Sequence, residues 1–321
     1  MLKMYGRTAH GSGESPAQWE QAWGTFDHAA WLRDAARISH NDPISRWVEP
    51  AVERGGLFLE GGCGLGHWVK WLHHRGHRAV GIDFAPALVA STHKLDPALR
   101  MLAGDVRALP LADGCVQTYL SNGVVEHWED GPDAGLHEAR RVIAKDGVFL
   151  CTVPDASWLR GFLYRRDMMI RGSLAARHVE RADVEDAPEG WTFYQYAFAV
   201  DEFTRRLQAA GFDVVETAGQ SLIYGLFEIP GVQRAYDAAY QLARKVLRRE
   251  RISVEQNASA STNDAAPQAA AATESFEVEP RSTLLERALF REEPAIPVVG
   301  PLITRAAERC STMRMYVARP R

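Results

Sequence analysis

Between Glu60 and His127 the chain gathers the residue types from which a ligand cradle and a proton-transfer site can be built. Glu60 precedes Gly62, Gly64 and Gly66 in LFLEGGCGLGHW, Asp83 ends RAVGID, Asp105 follows in AGDV, and His127 stands in VVEHW. Glycines with no Cβ let the backbone turn tightly and let a ligand lie directly against the turn. A carboxylate at the place of Asp83 can accept from both hydroxyls of a ribose. A histidine, with an unperturbed pKa of about 6.5, can remove a proton near neutral pH. Glu126 beside it either orients the imidazole or meets the ligand, and the residues alone leave both roles open.

These groups need elements to hold them. The apolar run Leu57 to Leu59 reads as a buried strand, and Trp68, Val69, Trp71 and Leu72 recur at helical spacing before Gly76 as a C-terminal stop. RAVGID reads as a second strand and LRMLAGDV as a third. VQTYLSNGVVEHW, 116–128, reads as a fourth strand opening into a loop. AGLHEARRVIAKDGVFLCTVP reads as an amphipathic helix, a turn and a fifth strand, and FAVDEFTRRLQAAGFDVVET as a helix stopped at Gly211 and a sixth strand. TMRMYVARP alternates like a seventh. Repeated βα units predict an α/β fold, a Rossmann-like, mostly parallel seven-stranded sheet with helices on both faces. Ligands of such sheets lie at the carboxyl ends of the strands, where every group named above falls.

The glycines are spaced G-x-G-x-G. The dinucleotide fingerprint G-x-G-x-x-G needs another glycine where this chain has His67, which disfavours a dehydrogenase. The motif resembles the first motif of the class I S-adenosylmethionine-dependent methyltransferases, with Glu60 at its acidic opening position. That resemblance implies S-adenosyl-L-methionine as cofactor, Asp83 on its ribose, Asp105 facing the adenine amino group, and further contacts from Val106 and Asn122. On the residues alone, Asp83 also reads as a strand-end cap and Asp105 as a turn aspartate. The Glu126–His127 pair is similar to that of many small-molecule members, including the quinone-biosynthesis type, which makes His127 the candidate base; the other reading has it packing against the cofactor or capping the next segment. The sulfonium already activates its methyl group, so such an enzyme chiefly aligns the acceptor.

No Pro-Pro-aromatic signature follows the fourth strand, no Pro-Cys dipeptide is present, and no paired-glutamate loop is evident, which leaves a small molecule as the expected acceptor and disfavours nucleic acid and protein arginine. O-methylation of a quinone-like, glycan or natural-product hydroxyl is the leading expectation and N-methylation of a small-molecule or sugar amine the nearest rival. From another class comes a non-catalytic module that binds the cofactor to regulate a partner. Glu129 and Asp130 sit in a polar EDGPD loop with no second histidine or cysteine nearby, so no metal is expected. The resemblance spans Leu57 to about Thr217 and the last strand; it does not specify the acceptor.

The 321 residues, 46% hydrophobic with net charge −4, suit one substantial α/β core and provide no broad positive field for nucleic acid. The four scattered cysteines read as reduced and structural. No apolar run approaches the roughly 18 to 20 residues of a membrane span, and the polar start lacks a signal-peptide core, so a cytoplasmic protein is expected. Residues 1–50 are expected as an N-terminal helical cap, helical from about Pro16 to Arg37; its Trp19, Trp23, Phe26 and Trp31 either pack on the sheet or form a lid. The core is expected over 51–225, with an acceptor-pocket insertion at 155–195, and 312–321 as its last strand. A helical insertion is expected over 226–311, interrupted by a disordered, alanine- and serine-rich loop at 253–282. Within it, 230–251 reads as a basic amphipathic helix, a candidate for peripheral contact with an anionic membrane, although the helix dipole alone favours cations at its end. Oligomeric state is not legible.

Overall fold

The computed structural model describes residues 1–7, 15–165, 178–181, 191–227, 229, 231–232, 234–235 and 299–321. The expected loop at 253–282 and the amphipathic helix beyond Ala235 lie outside the described residues.

Seven strands form the central sheet: β2 (Leu57–Gly61), β3 (Arg78–Asp83), β4 (Met101–Ala103), β5 (Val116–Asn122), β6 (Ile143–Pro154), β9 (Phe212–Gln220) and β10 (Met313–Pro320). Their spatial order is β4-β3-β2-β5-β6-β10-β9, and β10 alone runs antiparallel to its neighbours, so the seven-stranded Rossmann-like reading holds. The order reverses between β2 and β5, opening a crevice at their carboxyl ends.

The crossover helices are α5 (His67–His74), α6 (Pro86–Leu95), α7 (Asp133–Val142) and α9 (Val200–Ala209). Their apolar stripes bury Trp68, Val69 and Leu72 in one core cluster, and Leu136, Ala139, Phe203 and Leu207 in another. Burying one Leu- or Phe-sized side chain contributes about 1.5–3 kcal/mol, so the two clusters account for most of the driving force.

The first fifty residues depart from a purely helical cap. Leu2–Arg7 is a strand, β1, and the helix expected from about Pro16 to Arg37 is broken into α1 (Pro16–Trp23), α2 (His28–Arg33) and α3 (Ala35–Asn41), with α4 (Ser45–Val52) following. The first break has a local cause: the Asp27 carboxylate accepts from the Ala30 N–H and starts a new helix. Strand β1 lies between two strands of the segment that follows β6, β7 (His178–Arg181) and β8 (Trp191–Ala197), in a separate antiparallel sheet. The insertion begins with α8 (Trp158–Arg165). After β9 come α10 (Leu222–Phe227) and α11 (Val299–Cys310), which returns the chain to β10. All four cysteines are free thiols, with Cys63 and Cys151 buried. Among the described residues no helix is long and apolar enough to cross a membrane.

Candidate active site

The glycine turn is shaped by its neighbours. Gly62, Gly64 and Gly66 have φ of 70°, 53° and 74°. A Cβ on Gly62 would clash with a methyl of Val124, and one on Gly64 would stand 2.9 Å from the Trp23 ring, so a side chain at either is excluded by space as well as by conformation. The turn is tied to the next strand: Gly62 N–H donates to Ile82 O at 2.7 Å and Gly64 N–H to Asp83 Oδ2 at 2.7 Å. Asp83 Oδ1 accepts from the Ala85 N–H at 2.9 Å. The strand-end capping role of Asp83 is therefore real, and it leaves further lone pairs on a carboxylate fixed beside the turn.

Glu60, 3% exposed, accepts from the Val69 backbone, and its Oε2 is buried with no partner among the described residues. Burial, and then the neighbouring Asp83 charge, pushes its carboxyl well above the ordinary range, and burial raises Asp83 as well. His67, where the dinucleotide fingerprint wants glycine, is pushed down to about 4 by burial and is neutral. Two buried acids, an engaged Gly64 N–H and a neutral histidine make a poor cradle for a pyrophosphate. They suit hydroxyl donors and positive charge, which is what S-adenosylmethionine carries in its ribose, ammonium and sulfonium groups.

Asp105 is half-buried. Burial pushes its carboxyl up, but hydrogen bonds from the Arg107 guanidinium and backbone outweigh this and hold it below its ordinary value. Arg107 in turn lies 4.9 Å from the Trp128 ring centroid. Val106 is buried in the core behind Asp105. Asn122 ends β5 with its Oδ1 accepting from Thr152 Oγ1 at 2.6 Å.

A single 3-10 turn, Val125–His127, follows β5 and buries Glu126 and His127, 1% and 5% exposed. His127 Nδ1 lies 2.8 Å from the Tyr194 carbonyl of β8. A carbonyl only accepts, so Nδ1 carries the hydrogen and Nε2 is the basic nitrogen. Trp19 of α1 meets the imidazole edge-on at 4.7 Å between centroids, and the Tyr194 ring does so at 5.2 Å. Burial pushes Glu126 up to about 8.

Several of these partners were not legible as site residues. Helix α1 buries none of its residues in the core; it lies over the site, with Trp23 on Gly64, Trp19 on His127 and Glu20 Oε1 accepting from the Ala87 N–H that opens α6. The same tryptophans, Trp19 and Trp23 with Trp31 of α2, pack against the buried cluster Leu65, Ala85 and Leu88, so the packed stripe and the cover over the turn are one arrangement. The small sheet adds a roof: Lys3 Nζ pairs with Glu129 at 2.6 Å, and Tyr196 OH donates to Glu129 O at 2.8 Å. The alternation of LKMYGR and WTFYQYA was the available signal for that sheet.

Residues 59–151 match the family model described as a methyltransferase domain. A malonyl-[acyl-carrier protein] O-methyltransferase of Pectobacterium atrosepticum is 34% identical over 100 residues, 31% of this chain and 39% of that one. A protein of Mycolicibacterium smegmatis named a probable S-adenosylmethionine-dependent methyltransferase is 27% identical over 171 residues, 53% of this chain and 57% of that one. The chain thus spans less than two thirds of the length of either curated relative. The crystal structure of the PH0226 protein from Pyrococcus horikoshii aligns with 63% of this chain and 93% of its own at 16% identity, with a TM-score of 0.48. The match over 59–151, with the glycine turn, its acidic partners and the strand order, shows that this chain carries a methyltransferase domain of the class I S-adenosylmethionine-dependent type.

Proposed function

We propose that the protein transfers a methyl group from S-adenosylmethionine to the oxygen of a small-molecule hydroxyl, with His127 as the base. The observation that carries this reading is the bond from His127 Nδ1 to the Tyr194 carbonyl, which leaves Nε2 as the proton acceptor within a buried turn at the end of β5. When bound, the cofactor supplies an activated methyl group on a cationic sulfur. Glu60 and Asp83 would hold its cationic and ribose ends against the glycine turn, and Asp105, Val106 and Asn122 would supply the remaining contacts. Trp19 and Trp23 on α1 exclude water from above, and Trp19 braces the imidazole. The chain's part in the chemistry is alignment and removal of one proton. An oxygen acceptor accords with the name of the Pectobacterium relative.

Two measurements test this. Thermal melting with S-adenosylmethionine, S-adenosylhomocysteine and NAD tests the cofactor: ligand at about 100 times its dissociation constant adds about 2.7 kcal/mol, and Asp83→Ala diminishes that shift. A shift with NAD alone overturns the assignment. Incubation of cell extract with labelled methyl donor, followed by mass analysis, identifies the acceptor atom. A methylated nitrogen in the product refutes the oxygen reading, and absence of multiple turnover with every acceptor fraction favours a regulatory module.

A further inference from the structure

Glu126 is unexplained by the site as described. It is 1% exposed, Oε2 is buried with no partner among the described residues, and Oε1 stands 3.8 Å from His127 Nε2, the nitrogen left basic by the Tyr194 contact. That separation is too long for a hydrogen bond and short enough for strong Coulomb coupling between two groups that exclude water. A Cβ added at Gly123 would stand 3.5 Å from Oε1, so the turn runs close to the carboxyl, and Cys151 of β6 is a titratable group that feels its charge. On the other side, Trp19 and Tyr194 enclose the imidazole.

We infer that Glu126 is the charge partner of His127, a positioning residue whose carboxylate form stabilises the imidazolium created when the acceptor hydroxyl is deprotonated. The inference rests on the methyl-transfer reading above. In the step, the acceptor O–H bond breaks and its proton bonds to Nε2. The oxygen's electron pair forms the new C–O bond, the S–C pair stays on sulfur as a neutral thioether, and the proton on the pair is later released to solvent. With Glu126 ionised, the pair goes from one negative charge to neutral; with Glu126 protonated, it becomes a buried cation with no counter-charge. Burial holds Glu126 up at about 8, so the protonated form dominates at neutral pH and the competent form grows as pH rises toward 8. The protons of such a pair come off in coupled steps.

The test is an NMR titration of histidine-labelled full-length protein saturated with S-adenosylhomocysteine, from about pH 5 to about pH 10, with the His127 signal assigned by its loss in H127A. The wild type is expected to show a biphasic His127 titration with one step near pH 8. E126Q is expected to show a single step moved down by at least about one pH unit, a tenfold loss of proton affinity. E126D, which keeps the charge, is expected to restore the biphasic curve and reports on coupling should E126Q fold poorly. With labelled methyl donor and cell-extract acceptors, wild-type turnover should rise toward pH 8 and E126Q should lack that rise. A His127 titration unchanged in both variants overturns the inference and leaves the base assignment standing if H127A is inactive. Full turnover in H127A overturns the base assignment and this inference with it.

Discussion

The proposed cofactor half and the proposed acceptor half of the site are built on opposite plans. Around the glycine turn the decisive bonds are short in sequence: Gly64 to Asp83 spans 19 residues and Ala85 to Asp83 spans two. On the acceptor side they are long: 67 residues from His127 to Tyr194, 126 from Lys3 to Glu129, and 156 and 159 from Asp155 to Ser311 and Arg314. The first half is fixed by one strand–turn–helix unit and the next strand. The second exists only when the N-terminal strand, the insertion after β6 and the last strand have all docked, so its geometry depends on loop closures that the cofactor half does not need.

The comparison is broken most severely at His127. H127A is expected to lower turnover by about 10²- to 10⁴-fold while cofactor affinity, read by calorimetry, stays unchanged. Equal losses in both readouts would mean that the halves are one unit.

Next comes the buried clamp at the start of the insertion. Asp155 Oδ2 accepts from Ser311 Oγ at 2.6 Å and from Arg314 Nε at 3.1 Å, and Arg160 holds the Asp155 carbonyl. D155A leaves the Arg314 guanidinium, 4% exposed, with Glu308 as its remaining acidic partner. Breaking one member of such a pair costs about 3 kcal/mol. Denaturant unfolding should report that loss, and the acceptor KM should rise if the insertion is displaced. A wild-type midpoint would show that the clamp does not hold the acceptor half.

A smaller effect sharpens the contrast from the other side. D83A removes a carboxylate that braces the turn and is proposed to meet the ribose. Hydrogen bonds to charged groups contribute about 1.5–3 kcal/mol, so cofactor affinity should fall by about 10- to 150-fold. His127, held from β8, should keep its NMR signal. A changed signal would show that the turn and the roof communicate.

The gentlest test is the pH dependence of stability. Glu126 is raised from 4.5 to about 8 on folding, so between those values the folded chain holds a proton that the unfolded chain has released. Its contribution therefore makes stability fall as pH rises through that window, then level off above it. E126Q should remove this component, leaving a shallower decline than in the wild type. Superimposable pH–stability curves would place the Glu126 carboxyl in a wetter site than its burial implies.

The amino-acid sequence determined the sheet, its order of βα units and the cofactor turn, because each rests on local signals. Apolar runs of strand length, helical spacing at Trp68 to Leu72, and glycines with acids at fixed offsets all act between residues that are neighbours along the chain or one βα unit apart. His127 and Glu126 were legible as chemical groups, but not the tautomer or the pairing, which depend on a carbonyl 67 residues away. Alternation in Leu2–Arg7 hints at a strand, but tertiary structure alone decided that it pairs between β7 and β8, that α1 lies over the glycine turn, and that Asp155 meets Arg314. A six-residue strand has no stability of its own, and its partners are chosen by burial of Met4 and Tyr5 against the roof, an energy that exists only after the rest of the chain has folded.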